Sequence, residues 1–360
     1  MTSHVEFDLR ALCRDYGDIA AEASSCRSSA ALFDFSFMRC IRVCGPEAAV
    51  IVQTLTPRRM DDLMTGRIRY ALRVDAHGHV LDDVTIWRLD SETFEVFAAT
   101  GGVLAQLHAA ATSITSVRDL SEETAILAVQ GPSSLRALAG MGLAAQLRTL
   151  PYFGHVQASI AGVGCRIGRL GYTGERGFEI ILPRAARDVV WAMLARGARP
   201  AGFAPADILR IEAGFPLFAN ELLFPVSPDE LGLARFATEP DAASGPRPSA
   251  RHTHPIRLVS FQARCDCDPT LWRPPRDVPF PPAPGGLLPT SACRSIITGA
   301  ILGLGYACDA NAATHLIDVT GEFRDIREVS LPLYDPRKRR PRGGWHDDLS
   351  PEPAAGPSFI

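Results

Sequence analysis

Residues 70–87 constrain the fold more tightly than any other stretch: Tyr-Ala-Leu-Arg-Val-Asp-Ala-His-Gly-His-Val-Leu-Asp-Asp-Val-Thr-Ile-Trp. Tyr70, Leu72 and Val74 alternate with Ala71, Arg73 and Asp75, the period of two that suits a half-buried strand. Asp75 to His79 is turn chemistry, with Gly78 free to take the positive φ of a tight hairpin. Val80 to Trp87 resumes a β-rich run, yet Asp82 and Asp83 interrupt it where apolar residues are expected. Ionised carboxylates are seldom buried without a partner. Strand neighbours point to opposite faces. Asp82 therefore goes with Val80, Val84 and Ile86, and Asp83 with Leu81, Thr85 and Trp87. One carboxylate is expected to face solvent and the other to face inward.

The rest of the chain interleaves helices with hairpins. Tyr16 to Ser29 and Glu47 to Leu55 carry helical spacing, Ile41 to Val43 and Thr93 to Ala99 read as strands, and Val103 to Thr112 as a helix. Ala125 to Gln130 is a buried strand running into Gly131-Pro132, with Ser133 as the cap of the next helix. Val163 to Arg169 is a strand followed by a glycine-rich hairpin, Gly171 to Ile180, and further helices cover residues 183–198 and 206–214. Strand, Gly-Pro, helix occurs at Gly45-Pro46 and again at Gly131-Pro132, which suggests two related halves. Beyond a Pro/Ala/Ser/His-rich stretch, Ile256 to Phe261, Ser295 to Ala307 and His315 to Val319 read as strands of a small all-β module. Trp272 to Pro289, with seven prolines, reads as irregular.

At 360 residues the chain has room for two or three domains. A net charge of −3 points to no nucleic-acid partner, and no apolar run reaches the length of a membrane span. The N-terminus lacks the basic start and apolar core of a secretory signal, and nine cysteines without framework spacing suggest reduced thiols. A cytoplasmic protein is expected. His252-x-His254 followed by Cys265-x-Cys267 has zinc-type ligands but no zinc-module spacing, and reads as incidental.

Several blocks in order resemble the aminomethyltransferase (glycine cleavage T-protein) family of tetrahydrofolate-binding proteins. They are Arg27 to Met38, Tyr70 through Gly78 to Asp83, Gln130-Gly131-Pro132, Gly171-Tyr172-Thr173-Gly174-Glu175-x-Gly177-Phe178-Glu179-Ile180, Leu209 to Glu221, and Ser227 to Leu233. The resemblance implies an α+β fold: two related α+β domains forming a folate-binding core, with a small C-terminal β-barrel. It implies residues 1–240 as the folate-binding region, 241–255 as a linker, 256–335 as the barrel and 336–360 as a disordered tail. By position, Asp83 matches the family's catalytic carboxylate and Glu179 the carboxylate that holds the pterin ring. Tyr70, Tyr152, Tyr172 and Arg210 match positions lining the folate pocket.

The implied activity is one-carbon transfer (aminomethyl transfer or N/O/S-demethylation) from a small amine or methyl donor to tetrahydrofolate. The product is the 5,10-methylene or 5-methyl form, and a lipoyl-carrier protein or flavin oxidase is the implied protein partner. The sequence departs from the pattern at Phe37, where the family has His, at Ala31 in place of Gly, and at Ala98, near which many members place Asn. The family's motif upstream of Arg27 is not matched. These departures carry the alternative of a non-catalytic folate-binding accessory protein. Absence of a Cys in Arg169 to Glu175 disfavours the branch that assists iron–sulfur proteins. Without the resemblance, Asp82 and Asp83 read as a solvated edge, Tyr152 and Tyr172 as core or rim aromatics, and Arg210 and Glu212 as helix-surface charges. Glu179, opposite in direction to Phe178 and Ile180, reads as exposed.

Overall fold

The computed structural model describes residues 11–237, 256–272, 279–308, 312–330 and 332–345. Helix α1 (Ile19–Ser28) and strand β1 (Ala31–Asp34) lead into a first unit. That unit runs β2 (Arg39–Cys44), α2 (Ala48–Gln53), β3 (Ile68–Val74), β4 (Val80–Arg88), β5 (Thr93–Ala98), α3 (Gly102–Ala110) and β6 (Ser116–Asp119). Its antiparallel sheet has the order β3-β4-β5-β2-β6.

The second unit repeats the succession: β7 (Thr124–Gln130), α4 (Ser134–Ala139), α5 (Ala144–Arg148), β8 (His155–Ile160), β9 (Val163–Gly168), β10 (Gly177–Pro183), α6 (Arg187–Leu194) and β11 (Arg199–Pro200). Its sheet order, β8-β9-β10-β7-β1-β11, is that of the first unit with β1 inserted before the last strand. The paired Gly-Pro corners confirm the relation in backbone geometry. Gly45 has φ +129° and Gly131 φ +128°. A Cβ there would lie 2.3 Å from the Ile114 carbonyl oxygen or 2.4 Å from that of Ser29, so both corners require glycine.

Alternation along the strands gives each sheet two apolar faces, and burial of both sets the layers. Outer faces are covered by helices: α2 and α3 over Ile41, Val84 and Val96, and α4 to α6 over Leu127, Val129, Phe178 and Ile180. Inner faces meet each other through Phe33, Trp87, Phe97, Ile126 and Ile181. Helix α7 (Phe203–Glu212) follows, packed on α1.

The C-terminal sheet comprises β12 (Ile256–Ala263), β13 (Gly286–Arg294), β14 (Ile301–Cys308), β15 (His315–Ile317), β16 (Phe323–Asp325) and β17 (Arg327–Val329), in the order β16-β15-β13-β14-β12-β17. Its edge strands β16 and β17 are separated in the chain by Ile326 alone, so the sheet curls until its edges come together. One face encloses Phe261, Trp272, Ile301 and Leu316. The other, through Leu288, Leu302, Leu304 and Tyr306, packs on Leu72, Ile211 and Leu222 of the preceding region. Among the described residues no helix is long and apolar enough to cross a membrane.

Several expectations need correction. Pro289 lies within β13, at a register shift between Pro289 and Ser291, because a bulge excuses the missing N–H. Residues 295–300 form the β13–β14 turn rather than the start of a strand. The strand β8 was not anticipated. Cys265 and Cys267 are joined as a disulfide, their Cα atoms 5.4 Å apart and within bonding reach, whereas the other seven cysteines are free. His252, His254 and the expected linker lie outside the described residues. Of the expected tail, residues 336–345 pack in place: helix α8 (Arg339–Arg342) precedes Trp345, which stacks on Phe178 at 5.0 Å and is 8% exposed. Residues 346–360 lie outside the description.

A buried ion cluster joins these parts. Arg27 of α1 donates to Glu212 of α7 at 2.9 Å and to the Thr173 carbonyl at 2.8 Å, and lies 3.6 Å from Glu175. Glu212 also accepts from Ser295 Oγ (2.7 Å) and the Ile296 N–H (3.0 Å) in the β13–β14 turn. The Tyr334 hydroxyl donates to Glu175, and the Arg27 guanidinium sits 3.7 Å over the Tyr334 ring. Removing one partner strands a buried charge, a loss of about 3–5 kcal/mol, whereas an exposed pair is worth about 0–1 kcal/mol. Glu212→Ala is therefore expected to lower unfolding free energy in urea by about 3–5 kcal/mol. Glu123→Ala, which breaks only the exposed Arg118–Glu123 pair, should change it by less than about 1 kcal/mol.

Candidate active site

In the β3–β4 hairpin Leu72 pairs with Asp83 and Arg73 with Asp82. The turn between them places Gly78 at φ +86°. Tyr70, Leu72 and Val74 point toward α7 and the C-terminal sheet, and Asp83 shares their face. Asp82 points the other way, with Val84 and Ile86, into the layer covered by α2 and α3. There it is 1% exposed, accepts from Arg73 Nη1 at 2.7 Å and accepts from the Thr100 hydroxyl. Asp82 is buried and Asp83 is partly exposed, so neither is the fully solvent-facing carboxylate expected for one of them. Arg73, directly cross-strand, makes burial of Asp82 tolerable, and the exposed residue of this strand is Leu81.

Asp83 has no cation of its own in the described structure. Burial pushes its carboxyl up to about 6, the neighbouring Asp82 anion adds to the rise, and the Tyr70 hydroxyl opposes it. Tyr70 packs edge-on against Phe236 at 4.9 Å, and burial beside Asp83 raises its phenol well above the usual range. Tyr172 completes this wall: its hydroxyl donates to the Pro216 carbonyl at 2.6 Å and its ring stacks on Phe215 at 5.9 Å. Asp83 acts electrostatically on both phenols, so Tyr70, Asp83 and Tyr172 form one group.

Glu179 stands opposite Ala128 and Gly168 on β10, facing the seam between the two sheets with Ile181. It is half-buried, and among the described residues its carboxylate has no hydrogen-bond or ion-pair partner. Burial alone pushes it up to about 7. A Cβ on Gly168 would meet Trp87 at 2.2 Å, so this part of the second sheet lies against Trp87 of the first. Trp87 and Asp83 share a face of β4 four residues apart, roughly 13 Å at strand rise. Asp83 and Glu179 are thus two inward-facing carboxyls without a cation among the described residues, related through Trp87, which shares a face with Asp83 and lies against Gly168, the cross-strand neighbour of Glu179. Tyr152 is in the electrostatic neighbourhood of Glu179 and of the exposed Arg235 and Arg342.

Arg210 lies in the electrostatic neighbourhood of Tyr172 and is engaged by protein oxygens. Its Nε meets Asp207 at 2.8 Å, Nη1 meets the Phe215 carbonyl and Glu221 at 3.1 Å each, and Nη2 donates to Ser291 Oγ at 2.5 Å. All three nitrogens are engaged by protein oxygens, and the residue is fully buried. It locks α7 to the 215–221 loop and to β13, behind Tyr172. Phe215, Phe236 and Trp87 shape the seam without having been singled out; their positions after Gly214, after Gly232 and at the end of the hairpin offered no local sign of it. A separate cavity of about 400 Å³, lined by Tyr16, Asp34, Phe35, Phe37, Arg187 and Phe203 among others, contains neither Asp83 nor Glu179.

Paired α+β units are closed by a curled sheet, and two inward-facing carboxyls, Asp83 and Glu179, lack a cation among the described residues. The family model described as the GCVT N-terminal domain matches residues 10–239. Curated aminomethyltransferases are similar over most of their length. The protein of Streptomyces avermitilis is 33% identical over 90% of this chain and 91% of its own, and that of Saccharopolyspora erythraea 34% identical over 89% and 90%. The crystal structure of the glycine cleavage system aminomethyltransferase T from Bartonella henselae shares the fold, with a TM-score of 0.70 over 87% of this chain and 89% of that one at 24% identity. The chain belongs to the aminomethyltransferase family, whose curated members are named as transferases.

Glu179 makes a prediction about stability. A carboxyl raised from 4.5 to about 7 favours the folded state while protonated, and that contribution is lost as pH climbs through this window. Glu179→Gln removes the loss. Allowing for partial exposure, the variant is expected to be more stable than the wild type by about 1–2 kcal/mol at pH 8 and equal to it at pH 4. Urea denaturation at the two pH values measures this.

Proposed function

We propose that this protein transfers a one-carbon unit from a small amine or methyl donor to tetrahydrofolate, with Asp83 as the acting carboxylate. The observation that carries this reading is the pair of interior carboxyls without cations. Four acids nearby, Asp82, Glu95, Glu212 and Glu221, have arginine partners; Asp83 and Glu179 have none among the described residues. Unpaired acids inside a fold are costly, and sites that retain them use them.

The residues present fit a reduced folate. The two oxygens of Glu179 can accept a pair of adjacent N–H donors of the kind a pterin edge presents. Tyr70, Tyr152 and Tyr172 offer flat, partly apolar walls. Tetrahydrofolate, when bound, supplies the nitrogens that take up the carbon. With its carboxyl near 6, Asp83 is mostly ionised at neutral pH, yet close enough to protonation to give a proton back. As an anion in a low-dielectric seam it stabilises positive charge developing on the donor amine. Tyr70 orients it, and Arg210 acts at one remove by fixing the loop that carries Phe215 and the carbonyl held by Tyr172.

The product in this reading is the 5,10-methylene or 5-methyl form, and a lipoyl-carrier protein or a flavin oxidase would deliver or generate the donor in the cytoplasm. The reading as a non-catalytic accessory protein draws on Phe37 and Ala98. Ala98 is buried in the helix-covered layer, away from the seam. Phe37 packs edge-on against Phe35 and Phe203, toward the separate cavity. Neither change removes Asp83 or Glu179, which favours turnover.

Calorimetry with tetrahydrofolate and single-turnover transfer from candidate amines test the assignment. Asp83→Asn should keep folate affinity within about threefold and lower transfer by at least about 100-fold. Glu179→Ala should weaken folate binding by about tenfold or more. Full transfer by Asp83→Asn with unchanged binding would sink the proposal.

A further inference from the structure

The ion pair behind Asp83 takes no part in the chemistry just described, yet its placement is specific. Arg73 and Asp82 face each other across β3–β4, one residue from the Leu72–Asp83 pair and on the opposite face. The pair is anchored to the helix layer: Arg73 Nε and Nη2 donate to Gln106 Oε1 of α3 at 3.2 and 2.9 Å, and Gln106 Nε2 donates to the Thr54 carbonyl at 2.6 Å. Thr100, just before α3, donates to the same Asp82 oxygen that Arg73 holds. The other oxygen, Oδ1, is buried and has no hydrogen-bond partner.

Just beyond the pair the ladder shifts register, between Arg73 and Val74. A slip by one residue exchanges the faces of a strand, and a bulge next to the active position makes slippage a local hazard. A slip one way would set Leu81 opposite Arg73 and leave the cation with no anion directly across, while a slip the other way would set Asp83 opposite Arg73, away from the seam, and turn Val84 and Ile86 out of the helix-covered layer. The charge pair penalises the first state and the lost burial of Val84 and Ile86 the second.

The titratable groups that act on Asp83 are Tyr70 from β3 and Tyr172 from the glycine-rich loop, and, from the opposite face of its own strand, Asp82. The Arg73 guanidinium is drawn toward α3, and of the pair it is Asp82 that Asp83 senses.

We propose that the Arg73–Asp82 pair is the positioning device of this site, pinning the register of β4 so that Asp83 enters the seam and setting the electrostatic field in which that carboxyl works. This rests on the reading of Asp83 as the acting carboxylate.

Titration of the full chain labelled with [13C]aspartate, without ligand, tests it. The carboxyl resonance missing in Asp83→Asn identifies Asp83, whose midpoint in the wild type is expected at about 6. In Asp82→Asn the anion is gone and Arg73 remains, so the midpoint should fall by at least about half a pH unit, roughly threefold in proton affinity. The double variant Arg73→Met/Asp82→Asn leaves no orphan charge and keeps the test open where Asp82→Asn does not fold. Its midpoint should lie between those of Asp82→Asn and the wild type. An unmoved midpoint in folded Asp82→Asn and in the double variant overturns the proposal, since a merely structural pair would lower stability without moving a titration. If transfer dies in Asp83→Asn while these midpoints stay put, only the positioning role falls. If Asp83→Asn retains transfer, the underlying assignment falls first.

Discussion

The buried Arg27–Glu212–Glu175 cluster is the constraint on which the rest of the architecture depends. Its members come from α1, α7 and the glycine-rich loop, and through Ser295 and Tyr334 it reaches the C-terminal sheet and the returning chain. Taking such charges out of water is expensive, and the Coulomb gain offsets that only when every oxygen and N–H is met. Here Glu212 alone accepts from Arg27, Ser295 and Ile296. An arrangement so demanding has few near-equivalents, so it fixes how the segments sit. Two further clusters do the same at other joints. Glu95 of β5 is held by Arg42 and by Arg166 of β9, at 2.6 Å each, tying the two sheets together. Glu221 is shared by Arg210, Thr290 and Ser291, tying the 215–221 loop to β13.

Against this background the chemistry of the seam becomes an exception with a visible origin. The clusters give Glu95, Glu212 and Glu221 arginine partners, and Glu212 and Glu221 hydroxyl donors as well. Asp83 and Glu179 are brought inside by the same rigid frame and are left without cations. Burial then does to them what it does to any unpaired acid, favouring the neutral form. The frame's stability carries the cost of two groups that, in the proposed reading, are kept available to a ligand.

Legibility from sequence followed the locality of the signal. The hairpin at 70–88 was plain because alternation and a turn glycine are local, and the two Gly-Pro corners because one backbone geometry occurs twice. The inward direction of Asp83 followed from strand parity once the strand was accepted. Parity likewise put Asp82 with Val84 and Ile86, but its burial was not legible, because a charge on a strand reads as solvent-facing and the partner Arg73 lies across from it only once the hairpin is folded about Gly78. Arg210 reads from helix position alone as a surface charge and is buried instead: its partners Glu221 and Ser291 are 11 and 81 residues away, and no period reveals them. Pro289 and Trp345 were misread from composition. A bulge accommodates the first, and stacking on Phe178 holds the second.

The blocks that carried the family resemblance turn out to serve mainly the frame. Arg27 begins one of them, Thr173 and Glu175 lie in the glycine-rich block, and Glu212 lies in the block of α7; all four sit in the same buried cluster. Gly171 and Gly177 are held to glycine because a Cβ would meet the Gln130 side chain at 1.9 and 2.6 Å. Similarity in these blocks therefore supports the architecture directly and the reaction through Asp83 and Glu179, which the architecture aims. It speaks least to the donor. Recognition of a donor needs contacts around the carbon to be moved, and in the proposed reading those would come from Tyr70, Phe215, Tyr172 and Phe236, side chains that the clusters position and do not specify. A frame determined by buried charge leaves such walls free to vary in shape while the two carboxyls keep their places.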